Sequence, residues 1–265
     1  MLDILFERLR RKTRTVPFPA SAPVLPERYR GRPAFDVKTC AAVKPEDWAT
    51  AVAGCPSGAF RLNGAAPELD MGRCLFCGRC AENGPAGALR FTGDWRLAAS
   101  RREDLILTPG KDGVPAVAPT EEGSFVRSFK LRQVSAAGCG ACEADLNVLG
   151  TIVFDLPRFG MDYVASPRHA DALVITGPVP RNMHDALIKA DRAVSKPRAV
   201  LAVGACAVSG GVFAPKEGEA SPQRNYGAAE HLEVDLFIPG CVPHPYTLLD
   251  GLLRFLGHET PGPAE

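Results

Sequence analysis

Nine cysteines in 265 residues fall into groups whose spacing could do chemistry. The densest is Cys74-x2-Cys77-x2-Cys80, with a Cys55-Pro56 pair upstream of it. Cys139, Cys142, Cys206 and Cys241 occupy the C-terminal half, and Cys40 stands apart from both sets. Thiolates are soft ligands that suit zinc and iron–sulfur clusters. The other common use of many cysteines is a disulfide framework, which belongs to small secreted domains. This chain is not small, its N-terminal Met1 to Val16 is charged throughout rather than shaped like a signal peptide, and an odd count leaves a thiol unpaired. Metal or cluster ligation is the leading reading.

The Cys74 run matches the C-x2-C-x2-C-x3-C-P pattern of bacterial ferredoxins, in which the fourth cysteine serves the other of two clusters. Here the fourth position is Gly84, followed by Pro85. The missing ligand is expected from Cys55, because Cys55-Pro56-Ser57-Gly58-Ala59-Phe60 and Gly84-Pro85-Ala86-Gly87-Ala88-Leu89 are two copies of one half-motif. In the upstream half only Cys40 survives of three cysteines, and the loss at Gly84 strikes the same cluster. One [4Fe–4S] cluster on Cys55, Cys74, Cys77 and Cys80 is expected, with Cys40 left over. A four-cysteine zinc site is the alternative; successive x2 spacings with a Cys-Pro suit a cubane better.

The other four thiols sit in Gly138-Cys139-Gly140-Ala141-Cys142, Gly204-Ala205-Cys206 and Pro239-Gly240-Cys241. Each is expected in a loop just after a strand, with glycine letting the backbone approach a ligand. Loops at the carboxyl ends of parallel strands converge on one edge, so these four could enclose a second [4Fe–4S] cluster. Scattered buried cysteines acting as small hydrophobes are the alternative; the recurrence of strand, glycine and cysteine argues against it.

The elements needed to position them can be read from the pattern. Strands are expected at Lys130 to Val134, Ala172 to Thr176, Ala199 to Val203 and Val234 to Ile238, and helices at about 142–153, Met183 to Ser195 and about 245–256. Alternating strands and helices predict an α/β domain with a parallel, flavodoxin-like sheet. The expected organisation is a basic amphipathic segment and proline-rich linker at 1–35, a ferredoxin-like [4Fe–4S] domain at 36–107, a linker at 108–125, the α/β domain at 126–257 and a tail at 258–265.

Residues 1–107 resemble the ferredoxin-like subunit of formate hydrogenlyase and its relative in respiratory complex I, on Arg30-Gly31-Arg32-Pro33, Gly72 to Cys80 and Leu97 to Leu105. Those relatives carry two clusters, so a single cluster here is a departure. Residues 126–257 resemble the small subunit of [NiFe] hydrogenases, in particular the membrane-associated group related to complex I. The marks are Gly138 to Glu143, Ala170 to Val179, Gly204 to Ala207 with Gly210 to Phe213, and Pro239 to Pro243. The complex I homologue has two adjacent cysteines where this chain has Cys139-x2-Cys142, which looks like the hydrogenase version. The resemblance implies a natural fusion of two subunits, in which Cys139, Cys142, Cys206 and Cys241 hold the cluster beside the metal of a separate [NiFe]-hydrogenase-like large subunit. It further implies an oxidoreductase subunit, not catalytic alone, with further subunits of a membrane-associated complex as partners. The chain is expected in the cytoplasm, peripheral on the inner face of the cell membrane. The alternative is an electron-transfer subunit of a complex I-like quinone oxidoreductase without hydrogenase activity.

Composition narrows the remaining classes. A formal net charge of +1 favours neither nucleic acid nor a strongly acidic partner, and no GxGxxG or Walker motif supports a nucleotide. No apolar run approaches the roughly 18 residues of a membrane span. The N-terminal segment sets Leu2, Leu5, Phe6 and Leu9 against Arg8, Arg10, Arg11, Lys12 and Arg14, which suits docking on a partner. Glu143 is open between a role toward the partner and a helix N-terminal carboxylate. His244 reads as a polar loop residue near Cys241, and His169, His184, His231 and His258 show no ligand spacing.

Overall fold

The computed structural model describes residues 2–11, 13–121, 123, 125, 127–214 and 226–263; Met1 and Lys12 of the basic segment therefore lie outside the described residues. The N-terminal half consists of short elements: α1 (Leu2–Arg11), β1 (Pro33–Phe35), α2 (Val37–Ala42), α3 (Ala49–Ala53), β2 (Phe60–Asn63), β3 (Ala66–Asp70), α4 (Arg79–Asn83), β4 (Leu89–Phe91) and β5 (Ile106–Leu107). The C-terminal half alternates: β6 (Phe129–Ser135), α5 (Ala141–Leu149), β7 (Met161–Tyr163), β8 (Ala172–Thr176), α6 (Arg181–Ala193), β9 (Ala199–Val203), α7 (Gly204–Ser209), β10 (Leu236–Ile238) and α8 (Pro245–Phe255).

The unbroken apolar runs of β8 and β9 are too short for helices, and all five residues of each strand are buried, as strands covered on both faces must be. They form the centre of a five-stranded parallel sheet in the order β10-β9-β8-β6-β7. Counted from β6 this is 2-1-3-4-5, the flavodoxin-like order, whose ligand crevice lies where the order reverses, between the first and third strands. Alternate strand residues serve two cores. Ala172, Val174, Leu201 and Val203 pack with Leu146 and Leu149 of α5 and with Leu248, Leu249, Leu252 and Leu253 of α8. Leu173, Ile175, Val200 and Ala202 face the opposite way, toward Leu187 of α6.

That second core does not stop at the expected domain boundary. It runs on through Leu97, Ala99 and Leu105 to Trp48, Phe60, Leu69, Cys74 and Cys80. The N-terminal half forms two small antiparallel sheets, β1-β4 and β2-β3-β5. It also covers the edge of β10 by a bridge in which Ala99 and Phe237 exchange backbone hydrogen bonds of 3.0 and 2.8 Å. An open strand edge is a liability, and here the neighbouring half satisfies part of it.

Three expectations need revision. The segment read as a linker at 17–35 is packed down: Phe18 is buried against Trp95 and Tyr246, with ring centroids 6.3 and 5.5 Å away. Burying one large aromatic outweighs the extended preference of the prolines around it. The helix expected to reach 153 ends at Leu149, where Gly150 caps it by donating to Asn147 O and Val148 O. The sequence places Cys206 in a loop, but it lies inside α7. Gly204, at φ +87°, turns the chain out of β9 directly into α7, so strand and helix meet without an intervening loop.

Candidate functional site

Tight turns carry Cys55, Cys74 and Cys77 of the first set, and Cys80 lies in the first turn of α4. Residues 71–80 leave β3 and wrap back into α4, whose N-cap Gly78 is left-handed at φ +84°. Phe76, between Cys74 and Cys77, also has positive φ at +52°, a costly conformation for a side-chain-bearing residue. Its backbone N–H donates to Cys74 Sγ at 3.2 Å, and Phe60 N–H donates to Cys55 Sγ at 3.4 Å. Backbone amides aimed at sulfur favour the thiolate and tune whatever it binds.

The electrostatics group the thiols into two sets. Burial pushes the Cys74 thiol well above its ordinary value, and the charges of Cys80, Cys55 and Cys77 push it the same way. Cys80 is raised to about 12 by burial and then by Cys55 and Cys77. In the second set burial, the adjacent Glu143, and Cys206, Cys241 and Cys139 raise Cys142 to about 12. Cys206 is raised to about 11 by burial, Cys241 and Cys139, with Glu143 adding to them. Cys241 rises through burial and Cys139. The thiols that raise one another thus fall within the expected quartets. Cys40 belongs to neither: its thiol lies 3.4 Å from Ala88 O, and burial, Asp36 and Asp112 raise it.

The loss at Gly84 has a structural counterpart. A Cβ on Gly84 would lie 2.6 Å from Cys80 O and 3.2 Å from the Trp48 ring. Trp48 is 1% exposed and packs on Phe60 at 5.3 Å, so an indole fills the space that a fourth cysteine of the run would have to enter.

The second quartet sits at the carboxyl edge of the parallel sheet. Cys139 and Cys142 follow β6, Cys206 follows β9 and Cys241 follows β10. Glycines press against two of the sulfurs: a Cβ on Gly204 would lie 2.5 Å from Cys142 Sγ, and one on Gly211 3.0 Å from Cys206 Sγ. Glu143 spans the strand ends, its Oε1 accepting from Ser135 and Thr176, each at 2.6 Å. Burial would raise this carboxyl, but those hydrogen bonds win and hold it below its usual range. The carboxylate that the sequence left open therefore ties β6 to β8. His244 caps α8, its Nδ1 accepting from Tyr246 N–H at 3.2 Å, so the neutral ring carries its proton on Nε2. It stacks on Tyr246 and meets Tyr29 edge-on at 5.4 Å. No signal in the sequence marks that arrangement.

Among the described residues no three His, Cys, Asp or Glu side chains gather around a point where one metal ion would sit. Zinc needs its sulfurs about 2.3 Å from a single centre, whereas the four thiolates of a cubane each bind a different iron. The donor sets fit a cluster: four soft sulfurs each, mutual repulsion that a cationic core relieves, and glycine-lined approach at Gly204 and Gly211.

The two quartets differ in cover. Cys74 and Cys80 are each 6% exposed, whereas Cys139 and Cys241 are exposed. Around the open quartet Val212, Phe213 and Val242 are also exposed. No helix among the described residues is long and apolar enough to cross a membrane.

Residues 139–255 match the family described as NADH ubiquinone oxidoreductase, 20 Kd subunit. That stretch takes in the whole second quartet and none of the first. Formate hydrogenlyase subunit 7 of Escherichia coli is 36% identical over 131 residues, 49% of each chain. The probable membrane-bound hydrogenase subunit mbhJ of Pyrococcus furiosus is 35% identical over 49% of this chain and 75% of its own length. An NADH-quinone oxidoreductase subunit of Desulfovibrio desulfuricans is 38% identical over 44% of this chain and 61% of its own. The chain thus spans about half of the first relative and three quarters of the second. With three quarters of a relative spanned at this identity, and with the strand-end cysteines inside the matched stretch, the chain belongs to the NADH ubiquinone oxidoreductase 20 Kd subunit family.

Proposed function

We propose that the protein is an iron–sulfur electron-transfer subunit of an oxidoreductase complex, relaying electrons between a [NiFe]-hydrogenase-like large subunit and a redox partner through two [4Fe–4S] clusters. The observation that carries this reading is that eight thiols repel one another in two separate sets of four, whereas Cys40 is raised by burial, Asp36 and Asp112 instead. Cys55, Cys74, Cys77 and Cys80 would hold one cluster and Cys139, Cys142, Cys206 and Cys241 the other. Bound there, each cluster supplies a one-electron carrier whose potential follows its charge, its hydrogen bonds and its exposure. The residues of the chain ligate, donate to sulfur and exclude water; substrate chemistry belongs to the partner.

The apolar rim of Val212, Phe213 and Val242 beside exposed Cys139 and Cys241 suits a large subunit that closes over the second quartet. Further subunits would hold the complex at the inner face of the cell membrane, consistent with a relative described as membrane-bound. A second reading, a complex I-like quinone oxidoreductase subunit without hydrogenase activity, is favoured by the 38% identity to the NADH-quinone oxidoreductase relative. The Cys139-x2-Cys142 spacing favours the hydrogenase reading.

The test is anaerobic expression with iron, acid-labile sulfide and electron paramagnetic resonance of the reduced protein. About eight irons per chain and two cubane signals are expected. Stoichiometric zinc in place of iron overturns the relay. Finding nickel in the co-purified large subunit, or its absence there, separates the two readings.

A further inference from the structure

The seam between the quartets contains charged groups that neither quartet uses. Gly72 precedes Cys74 by two residues, and Val208 and Ser209 follow Cys206 by two and three. Ser209 Oγ lies 3.0 Å from Gly72 O, so α7 is bonded to the Cys74 turn. A Cβ on Gly72 would lie 2.7 Å from both Val208 Cγ1 and Arg102 Cζ. Turn, helix and guanidinium therefore meet at one point between the two sets of thiols.

Arg102 is held there by Asp70. Its Nη2 donates to Asp70 Oδ2 at 2.6 Å, and Asp70 Oδ1 accepts from Gly72 N–H at 2.8 Å. The Asp70 side chain is 5% exposed and that of Arg102 28%. Arg102 Nη1 is nevertheless buried with no hydrogen-bond partner among the described residues, and so is Arg73 Nε, next to Cys74. Unpaired buried donors of this kind are uncommon and call for an explanation. Both belong to cationic side chains, one next to Cys74 in sequence and the other against Gly72, where α7 meets the Cys74 turn.

We propose, resting on the electron-relay reading, that Arg102 sets the reduction potentials at this seam through its charge, with Asp70 as the opposing charge. In the step concerned one electron leaves a reduced site and enters an oxidised one across the seam; no bond is made or broken and no proton moves. The arginine favours the reduced state on both sides, and the aspartate disfavours it. Potentials in such sites respond to charge as well as to exposure.

The experiment compares anaerobically prepared full-length protein with Arg102→Gln, Arg102→Lys and Asp70→Asn. Iron and sulfide per chain are measured first, then potentiometric titration is followed by absorbance and paramagnetic resonance. Arg102→Gln is expected to lower the reduced-to-oxidised ratio at the wild-type midpoints about tenfold, or ~59 mV for one electron. Asp70→Asn, which keeps the acceptor for Gly72 N–H, is expected to raise it, and Arg102→Lys to leave it near wild type. A purely structural clamp would move Arg102→Gln and Asp70→Asn in the same direction or not at all, and either result in iron-loaded protein overturns the proposal. Should Arg102→Gln fail to accumulate, the Asp70→Asn titration decides: a raised ratio supports the proposal and an unmoved one overturns it. Wild-type protein that takes up no iron overturns the relay reading and this proposal with it, whereas loaded variants with unmoved ratios overturn this proposal alone.

Discussion

The two thiol quartets differ most in what surrounds them. The first is the more enclosed by its own chain: Cys74 and Cys80 are core residues, continuous with Leu69, Phe60 and Trp48, and Cys55 and Cys77 are half-buried. The second lies at the open carboxyl edge of a parallel sheet, with Cys139 and Cys241 exposed and an apolar rim beside them. This chain covers two thiols of the first set almost fully and leaves two of the second open to solvent. Burial favours the less charged state of a group, so a site closed by its own fold has its properties set by this chain alone.

The largest expected effects separate the quartets outright. Cys206→Ser should remove the iron of the second set and leave about four irons per chain on the first, read by elemental analysis and the surviving paramagnetic signal. If both signals vanish together, the two sites are not independent. Trp48→Ala attacks the closed side. It empties the space beside Gly84 and should destabilise the protein by about 3–5 kcal/mol, measured by chemical denaturation of the cluster-free chain.

A pH effect of smaller size tests the sheet that supports the open site. Asp250 of α8 is fully buried, and burial raises its carboxyl from 3.8 to about 6 against the lowering effects of Thr260 and Arg254. Between those values the folded state keeps a proton that the unfolded chain has released. Stability from this group is therefore present at low pH and lost as pH rises through about 6. The loss is roughly 3 kcal/mol, and Asp250→Asn should flatten that part of the denaturation midpoint's pH profile. An unchanged profile would mean that Asp250 titrates normally.

Two weaker perturbations sharpen the comparison. Gly204→Ala places a side chain at φ +87° and 2.5 Å from Cys142 Sγ. The backbone penalty is about 1–2 kcal/mol, and iron should be lost from the second quartet while the first stays loaded. Phe213→Ser lies on the exposed rim and should change the stability of the isolated chain by no more than about 0.5 kcal/mol. Its effect should appear in co-purification of the proposed large subunit. Undiminished recovery of that subunit would place the docking face elsewhere.

Much of the C-terminal half is legible from its residues. Ala172–Thr176 and Ala199–Val203 form strands with the bounds read from the sequence, because continuous apolar runs of five between glycine, proline and polar breaks have few other uses. Met161–Tyr163 escapes that reading: three residues carry no period, and the strand exists because Phe129 to Leu131 pairs with it. The helical setting of Cys206 escapes it too, since a glycine beside a strand end reads equally as a loop or as a sharp turn into a helix.

The sequence by itself determined the spacing and order of the nine cysteines, the isolation of Cys40, among glycine-free neighbours and in neither group, and the α/β character of the second half. Those are local properties of residue type and spacing. Tertiary structure alone decided that Trp48 fills the space facing Gly84, that Phe18 folds a proline-rich stretch onto the core, and that Arg102, Asp70, Gly72 and Ser209 meet between the quartets. Arg102 and Asp70 are 32 residues apart, and Gly72 and Ser209 are 137 apart. Contacts at such separations leave no periodic trace in the sequence, because they arise only when separately patterned segments pack against one another.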